Sequence, residues 1–510
     1  MTFTSIYFFG FVLLFILIYY LVPKHLRWGV LLCASILFYL ICCYRYIIFI
    51  LLTSLTSYLC GLYVGKETDS SEKKAQRRKK IMVTLTLVLN FGILAVLKYF
   101  NFFSGSLGEL IGLQAPQFSF VLPLGISFYT FQSMGYVLNV HWGKNPPEEN
   151  YFKFLLFVSF FPQIIQGPIA IYDELSPQLY EGHDFSYDCL KKGFWLFMYG
   201  LFKKLVIADR VIVGLNAILD LKEFVFGPYF TVALLLYSAQ IYMDFSGGID
   251  IARGVAAMLG IDMAENFKRP YFSRNVTDFW YRWHASLGNW IRTYLFYPMV
   301  LSKPFVKLRK KIQKKGAKHL GKVIPGCIGT IITFVIIGMW HGANWKYLGF
   351  GLWNGILLAL ASLLAPCFKT INTKLHINTE CLAWRIFQIV RTYILMMLGF
   401  MFDIADGFGD GINMICESIM GVGSLSTIDN RIFSDNGFYI YDLIVAILGL
   451  AVVFSISLYE EKNNIQLREV LVKKSVGLQL TVTTVILLVV IIFGVYGPGF
   501  DSNDFVYMQF

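Results

Sequence analysis

Charge is scarce in this sequence. Only 15% of its 510 residues are Asp, Glu, Lys or Arg, against about 25% in soluble domains. No polar stretch is long enough for a soluble domain. The longest are 66–80, 145–150, the segment around Glu174–Asp188, and 303–322. The nine cysteines form no Cys-x-x-Cys pair and no zinc spacing, so they indicate neither a structural zinc site nor a redox pair. Most of the nine lie in apolar runs, Cys33, Cys42, Cys43 and Cys60 among them, and read as buried small hydrophobes. There is no P-loop, no Gly-x-Ser-x-Gly elbow and no metal-ligand spacing. No repeat of fixed period is visible, which counts against repeat-built transporters. The first apolar run is long enough to span a membrane and no small-residue cleavage site follows it, so a cleavable signal peptide is not expected.

What is present is apolar surface. Hydrophobic residues make up 56% of the chain. This composition predicts an all-α polytopic membrane protein, with 1–510 as a single integral-membrane domain. Within it, 1–65 are N-terminal helices, 81–365 a core, and 385–510 C-terminal helices. A span needs about 20 apolar residues. Candidates fall near 5–22, 28–44, 47–64, 81–100, 119–138, 190–213, 228–245, 326–345, 347–365, 385–403, 440–458 and 478–496. The expected number is roughly 11–13. Apolar stretches near 151–166 and 277–300 are broken by Pro162, Gly167, Pro168 and Pro298 or carry Arg282 and Arg292. They read as re-entrant or interfacial helices. Glycines and prolines through the middle of the chain fit either broken, cavity-lining helices or close helix packing through small residues.

The net charge of +12 is concentrated in two loops. Lys66–Lys80 holds seven basic and three acidic residues, and Lys303–Lys322 holds nine basic residues and no acid. The positive-inside rule places both in the cytoplasm and, counting back three spans, the N-terminus outside. A nucleic-acid partner is not indicated, because such loops orient a membrane protein in any case. The second loop is also open to an anionic cytoplasmic donor.

Against this background a histidine in an apolar run stands out. His341 lies in the apolar run Ile331–Trp345, sixteen residues or about 24 Å of helix beyond Pro325. A titratable group at membrane depth is a functional-site candidate. Gly338 and Gly342 flank it, Trp340 and Trp345 offer flat walls, and Asn344 would share its helical face at i+3. A neutral imidazole there is a competent general base toward a hydroxyl; the alternative is a histidine hydrogen-bonded between helices for packing. His284, in Phe279-Trp280-Tyr281-Arg282-Trp283-His284, reads as part of an interfacial helix near the basic loop. A third cluster, Gln240–Asp250, brings Gln240, Asp244 and Asp250 toward Arg253. Asp244 is open to orienting a histidine or a turn, and Asp250 to pairing with Arg253 at i+3.

Trp340-His341-Gly342-Ala343-Asn344-Trp345, followed by Gly351-Leu352-Trp353-Asn354-Gly355, resembles the signature of the membrane-bound O-acyltransferases (MBOAT). Asn266-Phe267-Lys268-Arg269-Pro270-Tyr271, Phe279–His284, Leu122–Gln132, Phe160-Phe161-Pro162-Gln163 and Gln240–Gly247 are similar to the bacterial branch containing alginate O-acetyltransferase and the D-alanyl transfer protein of teichoic acid synthesis. So are the ends, Tyr19–Pro23 and Phe505–Phe510. The resemblance covers essentially the whole chain. It departs at Pro298-Met299-Val300-Leu301, Tyr281, Asn139 and Ala170-Ile171.

The resemblance implies helices around a funnel or tunnel. His341 is implied as the catalytic histidine and His284 as the second, toward the cytoplasmic side. One histidine is then expected at each side of the membrane. Trp340, Asn344, Trp345, Trp283, Arg282, Asp244 and Gln240 are the expected substrate-binding residues. No metal and no tightly bound cofactor is expected. The acyl donor would be acetyl-CoA, another acyl thioester or an acyl-carrier protein, and the acceptor a surface polysaccharide. The setting would be a plasma or inner membrane, with a possible extracytoplasmic SGNH-type partner. A carrier-fed D-alanyl transferase and a non-catalytic polysaccharide exporter are the alternatives.

Overall fold

The computed structural model describes residues 2–66, 73–114, 116–118, 122–164, 166–222, 224, 227–316, 318–496 and 505. Among these residues the regular structure is all helix, without strands. Each expected span overlaps a helix; of the one near 119–138, residues 119–121 lie outside the described residues and the helix begins at Ile126. Seven segments are long and apolar enough to cross a membrane: 24–65, Lys73–Ile111, Lys318–His341, Trp345–Lys374, Leu382–Ile404, Ile440–Asn463 and Val476–Phe493. The first of these contains two helices, Arg27–Cys43 and Ile47–Gly65, separated by a short turn at Tyr44–Tyr46. The expected spans near 5–22, 119–138, 190–213 and 228–245 fall on helices outside those seven. One, Ile6–Leu21, is apolar but short at 16 residues. Another, Ile126–His141, buries nearly every side chain, Gln132, Ser133 and Asn139 included.

The expected basic loops are themselves largely helical. Lys73–Lys80 begins the 39-residue helix Lys73–Ile111, and Lys303–Lys314 forms its own helix. Lys, Arg and Gln are good helix formers, so charge alone does not make a loop. Residues 67–72 and 317 lie outside the described residues. The cysteines depart from expectation as well: all nine are free, but only Cys60 is buried, and Cys33, Cys367, Cys381 and Cys416 are exposed.

The chain divides into two compact units interleaved in sequence. The first comprises 1–204, 245–264 and 464–509. Small residues set its packing. A Cβ on Gly193 would lie 2.6 Å from the Gly254 carbonyl oxygen, and one on Gly200 would lie 2.5 Å from that of Gly247. The glycines of this region therefore serve close helix approach. Asp250 pairs with Lys203 at 2.7 Å, while the expected partner, Arg253, stands at 3.9 Å. Lys203 belongs to a π-helical segment, 202–208, which turns it toward Asp250 instead of continuing the α-helical register.

The second unit comprises 205–244 and 265–463. Its frame is a helical hairpin, Lys318–His341 followed by Trp345–Lys374. A Cβ on Gly338 would lie 2.1 Å from the Tyr347 carbonyl oxygen, and one on Gly351 would lie 2.5 Å from that of Phe334. Glycine at both positions lets the backbones touch. Trp353 Nε1 then donates to the Leu395 carbonyl at 2.9 Å, tying Leu382–Ile404 to the hairpin.

Candidate active site

His284 is not on a helical face. It sits at the break between the helices Val276–Arg282 and Ala285–Ile291, in the left-handed region at φ 46°. That conformation costs a non-glycine residue about 1 kcal/mol or more and marks a position held by its surroundings. The holding segment is 266–268. Lys268 N–H donates to the Arg282 carbonyl at 3.0 Å, and Ala285 N–H to that of Asn266 at 2.9 Å.

The Asn266 side chain completes the clamp. Its Oδ1 accepts from the Ser286 N–H at 2.9 Å and lies 3.2 Å from His284 Nδ1. A backbone N–H only donates, so the Asn266 atom it meets is the oxygen. His284 Nδ1 must then carry the proton, which leaves the lone pair on Nε2. Burial, and secondarily the neighbouring His341, push the His284 pKa down to about 3. The ring is therefore neutral at ordinary pH. This single tautomer cannot donate to a carbonyl or oxyanion; its Nε2 accepts hydrogen bonds.

His341 is the last residue of its helix. Its ring is half-buried, stacked near Tyr347 (centroids 6.3 Å apart, planes 20°) and edge-on to Phe350 at 5.2 Å. Buried Trp340 lies between the two histidines, with its ring 5.2 Å from His341 and 6.3 Å from His284. Trp280, one turn before His284, packs on Phe334 and Phe350 of the hairpin. The two imidazoles thus belong to one centre. The expectation of one histidine at each side of the membrane is overturned, because Val276–Arg282 docks Trp280 directly on the hairpin whose first helix ends in His341.

The other expected site residues divide. Trp283 is buried in an aromatic cluster, stacked on Phe279 at 5.5 Å and close to Tyr242 and Phe400. Arg282 points into an ion cluster, with its Nε on Asp278 and its Nη1 on Glu461, both at 2.9 Å. Arg269 shares the same Glu461 at 2.8 Å. Asn344 does not share a face with His341, since the helix stops before it. It caps the next helix by accepting from Lys346 N–H at 2.9 Å, and its Nδ2 donates to the Asp406 carbonyl. Trp345, about half exposed, opens that helix. Gly342 abuts the Tyr347 ring, so it serves packing within the hairpin turn. Gln240 and Asp244 are buried one turn apart on the helix Gly227–Met258. Gln240 Oε1 has no hydrogen-bond partner among the described residues.

Sequence reasoning passed over Asn266, Trp280, Tyr347 and Phe350. Asn266 was visible as the first residue of a motif, but the motif carried no sign of which atom it would hold.

A buried neutral imidazole and a half-buried one share a tryptophan within an all-helical chain of membrane-length segments, an arrangement open to proton transfer. Residues 147–316 match the membrane-bound O-acyltransferase (MBOAT) family. The chain is 32% identical over 400 residues to a probable alginate O-acetylase of Pseudomonas syringae pv. tomato, covering 78% of this chain and 70% of the relative. It is 28% identical over 375 residues to a peptidoglycan O-acetyltransferase of Helicobacter pylori, covering 68% of this chain and 66% of the relative. It is 30% identical over 291 residues to a teichoic acid D-alanyltransferase of Bacillus subtilis, covering 56% of this chain and 69% of the relative. The chain belongs to the membrane-bound O-acyltransferase family and is an O-acyltransferase.

Proposed function

We propose that this enzyme moves an acetyl group from a cytoplasmic thioester, acetyl-CoA or an acyl carrier, to hydroxyls of a cell-surface polysaccharide. The observation that carries the reading is the shared centre of His341 and His284 around Trp340. His341 takes the proton of the attacking hydroxyl as its oxygen bonds to the thioester carbonyl carbon. The carbon–sulfur bond then breaks, and the proton passes from His341 to the departing thiolate. A thioester is already activated, so alignment and exclusion of water supply much of the remaining rate. His284, with its lone pair on Nε2, accepts a hydrogen bond from the donor's amide or the acceptor's hydroxyl and so orients it.

The basic segments face the cytoplasm and the N-terminus lies outside, on the positive-inside argument. His341 ends its helix at the end remote from Lys318. In this orientation the donor must reach through the protein to a single centre, as the extended arm of a thioester can. An extracytoplasmic SGNH-type protein is the partner that would finish delivery.

D-alanyl transfer to teichoic acid is the second reading, favoured by the Bacillus relative. The acetyl reading is preferred because the Pseudomonas relative matches 78% of this chain, against 56% for that one. The test is mass spectrometry of the surface glycan from cells carrying His341→Ala, with protein level followed by immunoblot. Loss of O-acetyl groups at unchanged protein level is expected. Loss of D-alanyl esters would select the second reading, and unchanged acylation would remove His341 as the base.

A further inference from the structure

A cavity lies away from the histidines, between Trp345–Lys374, Leu382–Ile404 and the start of Val276–Arg282. Its volume is about 880 Å³. One side is apolar, formed by Leu357, Leu360, Leu364 and Phe368. The other side and the end are polar, with Asn275 and Thr277 beside Arg391, and Lys369 near Asn372 and Thr379.

Two features set this cleft apart from ordinary lipid-facing surface. Arg391 and Lys369 are both exposed, yet each stands in a membrane-length helix. Neither has an ion-pair partner among the described residues, and no carboxylate lines the cleft. Arg391 donates to the Arg274 carbonyl at 3.0 Å and lies 5.8 Å over the Phe387 ring. Arg391 lies within the expected span 385–403, and a charged side chain at that depth without a counter-charge is expensive; Lys369 lies just past the end of the expected span 347–365. The dimensions are the second feature. From Leu357 to Lys369 the helix rises about 18 Å, close to half of the roughly 30 Å hydrocarbon core. The cleft is thus about one leaflet deep, apolar along its length and cationic toward the helix link 375–381.

We propose that this cleft binds an anionic glycerophospholipid, with its phosphate between Lys369 and Arg391 and an acyl chain along Leu357, Leu360 and Leu364. The hairpin returns Lys369 to the same side as Lys318, so the lipid belongs to the leaflet facing the basic segment. That this leaflet is the cytoplasmic one rests on the orientation proposed above; the binding itself does not. Asn275 caps the helix that leads to His284, so an occupied cleft steadies the segment that seats this histidine.

Native mass spectrometry of the purified full-length protein, with equal amounts of phosphatidylglycerol and phosphatidylcholine, tests the proposal. The wild type should retain phosphatidylglycerol in preference. Lys369→Gln with Arg391→Gln should weaken that retention roughly tenfold or more. Lys310→Gln with Lys311→Gln, equal in charge change but outside the cleft, should leave it intact. Ala361→Trp, which fills the cleft with both cations present, should also expel the lipid; monodispersity on gel filtration confirms that each variant is folded. Equal retention of phosphatidylglycerol by the Lys369/Arg391 variant, equal retention of phosphatidylcholine by the wild type, or displacement of the lipid by acetyl-CoA would each overturn it. None of these readouts depends on acyl transfer, so failure here is distinct from failure of the proposed function.

Discussion

Asn266 fixes the tautomer of His284, because its Oδ1 already accepts the Ser286 N–H and can meet Nδ1 only as a second acceptor. Removing that oxygen leaves a buried N–H and a backbone N–H unsatisfied together, at roughly 1–3 kcal/mol each. Asn266→Ala should therefore lower acyl transfer about tenfold or more. Asn266→Asp should behave differently. A carboxylate beside Nδ1–H favours the imidazolium, so the acid limb of the pH–rate profile should move to higher pH. A purely structural role for Asn266 would lower the rate without moving that limb, and pH profiles of the two variants decide between them.

His341 is assigned the proton transfer, and general-base catalysis contributes about 10²–10⁴-fold. His341→Ala and His341→Gln should both lose activity in that range. His341→Gln keeps much of the ring's volume between Tyr347 and Phe350, so its melting temperature should stay near that of the wild type. Acyl transfer in proteoliposomes and thermal unfolding in detergent, measured on the same preparations, separate chemistry from packing.

Stability should depend on pH through His284, which lies outside the seven membrane-length helices. Its folded pKa is lowered to about 3, below the unfolded value of about 6.5. Between these values the unfolded chain binds the extra proton. The stabilising contribution is therefore fully present above about pH 6.5 and is lost as pH falls toward 3, by about 1.4 kcal/mol per unit. His284→Gln should flatten the slope between pH 6.5 and 5 in thermal unfolding curves. An unchanged slope would mean that other groups carry the acid sensitivity.

The helices were legible in the sequence because an apolar run in a chain this poor in charge has few other fates. His341 was legible for the same reason, as an imidazole among isoleucines. Its distance from His284 was not, since it depends on Trp280 docking against Phe334 and Phe350, a contact made by residues 54 and 70 positions apart. The misplacement of Asn344 had a readable cause. Gly342-Ala343-Asn344 is a helix stop followed by an N-cap residue, and extending the helix through it gave a shared face that does not exist. Arg282 was expected to bind substrate; its carboxylate partner Glu461, which holds it in an ion cluster, lies 179 residues away and leaves no local sign.

Gly338 and Gly326 lie on the same helix and should respond oppositely to alanine. A Cβ on Gly338 would fall 2.1 Å from the Tyr347 carbonyl oxygen, while one on Gly326 meets nothing within 4 Å. The hairpin can accommodate Gly338→Ala only by parting its backbones, and overpacking of this kind costs about 1–3 kcal/mol. Gly326→Ala adds only a helix-favouring methyl and should be neutral or stabilise by up to about 1 kcal/mol. The parting occurs one turn before His341, so Gly338→Ala should also lower the rate of acyl transfer, whereas Gly326→Ala should not. Paired melting and activity measurements check this; equal effects from the two substitutions would show that the close approach at Tyr347 does not position His341.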